Sequence, residues 1–358
     1  MKISFLIHTL NAGGAERTVV NLGTEFKKMG HVVDIVTYNK GIFYDTGDIK
    51  VENILLKNGK RKSRFKVINV FRKIINYRKY ITKTNPDIII CLLYPSILYT
   101  LFISKRILVI GSERSSPKHL KNIIKRIVRF FLFLSVDGMI FQTERARSYY
   151  SKMIYSKGIV IPNSVGNLNI DHANKHVSNK ENKIVAVGSF KPEKDYFTLI
   201  KAFKLVTKAY PEVILEIYGE GPLRPKIELL IRQLDLTNNV FLMGKHRDAI
   251  LKIKSARCYV LSSISEGMPN SLMEAMAIGL PCVSTDCENG PRELITHGVN
   301  GFLAPVGDHK AISDYIIRIL DNDELANTLG KNALNINTTN SNSQIANRYL
   351  NFIETLKH

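Results

Sequence analysis

The sequence predicts an α/β protein of two doubly wound, Rossmann-like domains, and three observations carry that prediction. Strand-length apolar runs alternate with helix-period segments from end to end, the pattern of parallel sheets covered by helices. The 358 residues are long for one core and comfortable for two. A polar, turn-rich stretch with no sustained apolar period, Ile161 to Lys183, parts the chain near its middle.

The first half supplies six strand-like runs in order: KISFLIH, HVVDIVTY, VENILL, DIIICLL, RILVIG and VDGMIFQT. The second supplies KIVAVGS, VILEIYG, NVFLMG, CYVLSS, PCVSTD and GFLAP. The boundaries expected are a first domain at 1–165, a linker at 166–182, a second domain at 183–340 and a last helix at 341–358, capped by Ser343. Two such sheets are expected to face each other across a cleft. Ligands would then sit outside the carboxyl ends of the strands.

The longest apolar run, Ile88 to Ile103, is shorter than the roughly 18–20 residues of a membrane span and is broken by Pro95, so it reads as strand, turn and helix. The opening segment is interrupted by His8, Asn11 and Glu16 before a signal-peptide core is complete, and reads as a buried strand. Four cysteines lie scattered without CxxC spacing, which favours reduced thiols over a zinc site or a disulfide framework.

Charge is distributed unevenly. Residues 1–162 hold 29 Lys and Arg against 10 Asp and Glu, a net +19, whereas the rest of the chain is nearly balanced at +1. Lysine-rich usage alone would raise both halves, so the imbalance points to an anionic partner for the first domain. Two segments concentrate it, Lys57 to Lys79 and Lys118 to Leu134, both basic and amphipathic. Such helices can meet anionic headgroups or a lipid pyrophosphate. They can equally lay their apolar faces on the sheet and leave the cations in water.

Several strand-to-helix loops carry chemistry. NAGGAER places Gly13 and Gly14 where backbone amides can approach an anion or sugar; it is not GxGxxG, so the dinucleotide fingerprint fails. Gly188 follows a strand with Lys194 six residues on, a reach suited to a diphosphate, although a solvated lysine reads as well on this loop alone. YGEGP, Tyr218 to Pro222, is a second glycine-rich exit and includes Gly219. In SEGMPNSLMEA, Asn270 is expected to cap a helix, leaving the amides of Ser271, Leu272 and Met273 for phosphate oxygens. Glu274 falls on the same helical face as Asn270. A carboxylate beside a diphosphate would repel it, so Glu274 and Glu266 should each address hydroxyls.

Glu266 and Glu274 form an E-x7-E pattern. With Gly188, Lys194, YGEGP, FLMG, GLPCVSTD and NGFLAPVGD, and with GGAER, GSER and IPNSV in the first half, the chain resembles glycosyltransferase family four, retaining enzymes of GT-B fold. The resemblance implies two Rossmann-like domains with the C-terminal helix returning to the first. It implies a nucleotide sugar, commonly a UDP-sugar, in the second domain: Glu274 on the ribose, the Asn270 to Met273 amides and Lys194 on the diphosphate, Glu266 near the sugar hydroxyls, and Met243 and His246 flanking the base. Ser189 stands where such proteins usually carry Arg, which leaves more of the phosphate charge to Lys194 or Lys191. Gly13, Gly14, Glu113 and Arg114 would meet the acceptor, although Glu113 and Arg114 as bare sequence read equally as a strand-end ion pair. CENGPREL resembles a subgroup transferring hexoses or N-acetylhexosamines onto lipid-linked bacterial glycans.

The resulting expectation is a cytoplasmic enzyme, peripheral on the inner face of the plasma membrane. It would transfer a hexose or N-acetylhexosamine to an undecaprenyl-diphosphate-linked glycan for capsule, O-antigen or a similar polymer. Lys194 and Glu266 are the catalytic candidates, with no cofactor and no metal required. An inverting reaction would instead need a base from His8, Glu113 or Glu144. A UDP-sugar epimerase and a nucleic-acid-binding or anionic-surface protein are the competing readings, the former separable by product formation without acceptor. No helix-turn-helix, RNP-like or zinc pattern supports specific nucleic-acid recognition.

Overall fold

β1 (Lys2–Ile7) shows how the first sheet is buried on both faces: Ile3, Phe5 and Ile7 enter one core and Leu6 the other. This is the period-two alternation of a strand sandwiched between helical layers. The computed structural model describes the chain apart from residues 12, 55–65, 102, 105, 115–116, 118–119, 121, 167–179, 247–248 and 358. The expected linker at 166–182 lies largely outside the described residues, as does the first part of the Lys57 to Lys79 segment.

The chain divides into two units, Met1–Gly166 with Asn342–His358, and Asn167–Ser341. In the first, β1 is followed by α1 (Gly14–Lys28), β2 (Val32–Thr37), β3 (Lys50–Asn53), α2 (Lys66–Thr84), β4 (Ile88–Leu92) and α3 (Tyr94–Ile97). Then come β5 (Leu108–Glu113), α4 (Ile123–Leu134), β6 (Gly138–Phe141), α5 (Glu144–Ser148), α6 (Lys152–Ser156) and β7 (Gly158–Val160). The strands pair in parallel in the order β3-β2-β1-β4-β5-β6-β7. Leu6 sits opposite Val36 and Cys91, which fixes the register of the centre. The sequence did not anticipate β7, whose three residues are too few to show a period.

The second unit runs β8 (Glu181–Val187), α7 (Tyr196–Ala209), β9 (Ile214–Tyr218), α8 (Arg224–Gln233), β10 (Val240–Gly244), α9 (Ala249–Lys252) and β11 (Ala256–Leu261). It continues through α10 (Asn270–Ala277), β12 (Cys282–Thr285), α11 (Pro291–Leu294), β13 (Phe302–Ala304), α12 (His309–Asp321), α13 (Asp323–Ala333) and α14 (Ile336–Thr339). Its sheet is also parallel, in the order β10-β9-β8-β11-β12-β13. The order reverses beside β8, so the loops after β8 and β11 flank the switch point where such sheets take ligands.

The last helix, α15 (Asn342–Thr355), belongs to the first unit, as expected. Ile345, Ala346, Tyr349 and Ile353 pack with Val19, Leu22 and Phe26 of α1. It begins at Asn342, so Ser343 lies within the first turn instead of capping it. Among the described residues, no helix is long and apolar enough to cross a membrane.

Candidate donor-binding site

The loops after β8, β9 and β10 are strapped together by their backbones. Gly188 N donates to Tyr218 O at 2.9 Å, Gly219 N to Gly244 O at 2.8 Å, and Phe190 N to Glu220 O at 2.9 Å. The chains cross so closely that a Cβ on Gly219 would overlap the Gly188 carbonyl oxygen, and one on Gly221 would stand 2.6 Å from Phe190 O. Glycine at 219 is therefore required by close approach.

Beyond Gly188 the chain makes a short 3-10 turn, Pro192–Lys194, and Asp195 enters the left-handed region at φ 43° to cap α7. The Asp195 carboxylate accepts from Thr198 N at 3.3 Å and from its hydroxyl at 2.6 Å. This turn is tied to the loop after β11, since Ser262 Oγ donates to Lys194 O at 2.9 Å and Ile264 N to Glu193 O at 2.9 Å. Two loops separated by about seventy residues thus form one wall of the switch point.

On that wall Lys194 Nζ lies 2.5 Å from Glu266 Oε1, and Ser263 Oγ donates to the same oxygen at 2.6 Å. Both charged side chains are mostly enclosed. Gly188 leaves room for the Tyr196 hydroxyl, which donates to Gly188 O at 3.0 Å: a Cβ at 188 would lie 2.9 Å from that hydroxyl and in ordinary contact, 3.5 Å, with Lys194 Cε. Cys287 sits nearby as a buried thiol; burial pushes it up to about 12, and the Glu266 carboxylate adds to the rise while Lys194 opposes it.

Pro269, not Asn270, occupies the capping position of α10, in extended conformation at φ −77° and ψ 101°. Asn270 is the first helical residue. Met273 N is already engaged, donating to Pro269 O at 3.1 Å, which corrects the expectation that its amide is available. The amides of Ser271 and Leu272 remain in the first turn, where a helix offers them no carbonyl. The Leu272 side chain is fully buried, so it can contribute only its backbone. Ser271 Oγ accepts from Tyr259 OH at 2.8 Å, and Glu274 is buried one turn into the helix. Gly290, at φ 83°, packs α11 against this turn; a Cβ there would stand 2.6 Å from Gly267 O and from Pro269 Cδ.

Met243 is partly exposed on β10, and its carbonyl lies 3.0 Å from His246 Nε2. The imidazole meets the Tyr218 ring edge-on at 5.7 Å. Ser189 and Lys191 belong to the same loop as Lys194, with Lys191 N donating to Ser189 O at 2.8 Å. Ser263 was not singled out in the sequence, and an isolated serine three residues before a glutamate carries no signal that could have found it.

The residues expected at the acceptor lie in the first unit. Gly13 caps α1 in extended conformation, its carbonyl accepting from Tyr44 OH at 3.2 Å, and Gly14 starts the helix. A Cβ on Gly13 would overlap the Glu16 carboxylate, which lies over it; burial raises the pKa of Glu16, partly offset by its own backbone amide. Glu113 is enclosed at the end of β5, with Arg129 Nη1 at 3.4 Å and Tyr150 OH donating at 3.0 Å. The sequence left a strand-end ion pair open here; Glu113 does form one, with Arg129 in place of Arg114. Arg114 donates instead to Ser112 Oγ at 2.8 Å, to Asn163 Oδ1 and to the Tyr349 hydroxyl of α15. Of the three base candidates, His8 follows β1 as an exposed residue with Asn39 Nδ2 2.7 Å from Nε2; partial desolvation of the imidazole, then the Lys73 charge, lowers its pKa. Glu144 sits on α5, accepting from Tyr155 OH at 2.9 Å and paired with Arg147.

Comparison with known proteins agrees with this architecture. Residues 12–166 match the model described as Glycosyltransferase Family 4, and residues 169–335 match Glycosyl transferases group 1, so the two take in nearly the whole chain. The chain belongs to glycosyltransferase family four. An uncharacterized glycosyltransferase of Methanocaldococcus jannaschii is 29% identical to this glycosyltransferase over 71% of its chain and 69% of the relative. A Campylobacter jejuni α-1,4-N-acetyl-D-galactosaminyltransferase, named for an undecaprenol-diphosphate-linked glycan, is 26% identical over 93% and 92%. Among solved structures, Staphylococcus aureus TarM with UDP superposes at a TM-score of 0.82, with 21% identity and coverage of 98% and 99%. HepE of Anabaena with UDP and glucose gives 0.83, at 18% identity and coverage of 99% and 100%. This glycosyltransferase therefore has the GT-B fold of two parallel-sheet Rossmann-like domains.

Proposed function

We propose that this glycosyltransferase moves a hexose or N-acetylhexosamine from a UDP-sugar to a lipid-linked glycan, with retention of anomeric configuration, in the synthesis of a bacterial surface polysaccharide. The observation that carries the reading is the convergence of Lys194 and Glu266 at the sheet's switch point, ahead of the N-terminus of α10. The relatives named for N-acetylgalactosamine transfer to undecaprenol-diphosphate glycans, and the poly(ribitol-phosphate) α-N-acetylglucosaminyltransferase of S. aureus, support the class of donor and acceptor.

In this reading the donor diphosphate takes the place of Glu266 as the partner of the Lys194 ammonium. The charge that grows on the departing phosphate is met by Lys194 and by the first-turn amides of α10. Glu266, released from the lysine, turns to the sugar hydroxyls, and Glu274 holds the ribose. The acceptor hydroxyl enters on the face from which the diphosphate leaves and gives its proton to the departing phosphate oxygen. No protein base is needed on that path, and no metal or cofactor enters it. The enzyme works at the cytoplasmic face of the plasma membrane, where the net +19 of residues 1–162 meets anionic lipid.

A panel of UDP- and GDP-sugars with lipid-extracted acceptor, read by mass, tests the assignment, and proton NMR of the product's anomeric centre reads the stereochemistry. Product formed from UDP-sugar in the absence of acceptor would instead identify an epimerase.

A further inference from the structure

α4 is apolar on two opposite faces. One face, with Leu132 and Phe133, is buried against the sheet. At 100° per residue, Ile123, Ile124, Ile127, Val128 and Phe131 fall together on the other side. These five are exposed, Ile123 by 62%, Ile124 by 68% and Phe131 by 63%. A surface helix normally buries its one apolar face and turns polar residues outward, so a second, contiguous apolar stripe left exposed marks an interaction site.

We propose that this stripe is the element by which the enzyme enters an anionic lipid bilayer, lying in the plane of the interface with its five apolar side chains below the headgroups. The proposal deepens the membrane-peripheral reading above and rests on it for the identity of the partner. Charge selects lipid over another protein or a second copy. Lys125 and Arg126 are exposed on the same helix and Lys152 on the adjoining α6, beside an exposed Met153, within the strongly cationic half of the chain. Two copies of such a face would bring like charges together, whereas acyl chains and anionic headgroups satisfy both parts. The same helical layer carries a second exposed pair, Phe71 and Ile75 on α2, among Arg72, Arg78 and Lys79.

The helix is anchored for this role. Asn122 caps it, accepting from Lys125 N at 3.1 Å, and its buried side sends Arg129 inward to Glu113, with Arg129 Nη2 donating to Pro117 O at 3.0 Å. The lipid-facing helix and the end of β5 carrying Glu113 and Arg114 are thus fastened together. A bilayer contact at α4 would hold that strand end at a set depth relative to a lipid-linked acceptor.

The sequence contains no tryptophan, so Phe131→Trp introduces a single indole reporter in the full chain. With phosphatidylglycerol–phosphatidylcholine vesicles we expect its emission to shift to the blue and to be quenched by lipids brominated on the acyl chain. Phosphatidylcholine alone should give a much smaller response. Ile124→Ser with Phe131→Ser should weaken co-sedimentation with the anionic vesicles by about tenfold or more and make the remainder fully sensitive to salt. Co-sedimentation of the Phe131→Trp variant with unchanged indole emission would overturn the proposal, because another face would then be the docking one. So would an indole already blue-shifted without lipid in a dimer that the double serine variant dissociates. Both readouts are independent of turnover: loss of glycosyl transfer with intact lipid quenching would count against the proposed function alone.

Discussion

Lys194 Nζ sits 2.5 Å from Glu266 Oε1, joining the loop after β8 to the loop after β11 across the switch point of the second sheet. The pair holds a cation and an anion at one place, and in the function proposed above each meets a different part of a nucleotide sugar. Lys194→Ala should lower kcat by about 10²–10³-fold, the cost of removing one group that stabilises a developing oxyanion, with a smaller change in UDP affinity. Glu274→Ala should instead weaken UDP binding by about tenfold, roughly 1.4 kcal/mol. Because Lys194 and Glu266 touch, Lys194→Ala with Glu266→Ala should be non-additive. Titration calorimetry with UDP and initial rates with the acceptor separate these outcomes; equal, negligible effects from Lys194→Ala and Glu274→Ala would sink the site assignment.

Gly219→Ala tests the strapping of the loops. The added methyl would overlap the Gly188 carbonyl oxygen, and backbone cannot swing aside as a flexible side chain can. We expect a loss of about 1–3 kcal/mol in urea unfolding together with weaker UDP binding. Gly298→Ala provides the contrast: its Cβ would meet nothing within 4 Å, so any loss there comes from its φ of 76° alone.

What the sequence made legible follows from how each feature is encoded. β4 is a contiguous apolar run, β1 and β11 end in shorter ones, Phe5 to Ile7 and Cys258 to Leu261, and the E-x7-E loop announces itself through Gly267, Pro269 and two acids within a few residues. What it hid depends on the path a loop takes and on contacts between distant segments. Ser263 reaches Glu266 only because the turn after β11 curls back, and Asn163, which accepts from Gln142 Nε2 at 2.8 Å and from Arg114, is a buried hub joined from several elements. The cap of α10 was misplaced by one residue because asparagine is a favoured cap by propensity, whereas here Pro269 takes the extended conformation and Asn270 the helical one.

Arg129 and Glu113 form a buried pair in the first unit, with Tyr150 donating to the same carboxylate. Removing one partner strands the other charge away from water. Arg129→Met should destabilise the protein by about 3–5 kcal/mol, and Arg129→Met with Glu113→Gln should recover a substantial part of that loss. Guanidinium unfolding of the two single variants and the double variant measures the coupling; strictly additive losses would show that the pair does not act as a unit.

Glu16 gives a pH-dependent prediction whose sign differs from that of an ordinary ion-paired carboxylate. Burial over Gly13 raises its pKa above the usual 4.5, so the folded state holds this proton more tightly than the unfolded chain does. Its contribution to stability is fully present below pH 4.5 and is lost as the pH rises through the folded value. At neutral pH the carboxylate is therefore a net cost. Glu16→Gln should raise the thermal midpoint at about pH 7, and the gap between variant and parent should close as the pH is brought below 4.5. A parent that is the more stable of the two at neutral pH would mean that the ionised carboxylate has a favourable partner at the head of α1, and that burial does not dominate its energetics.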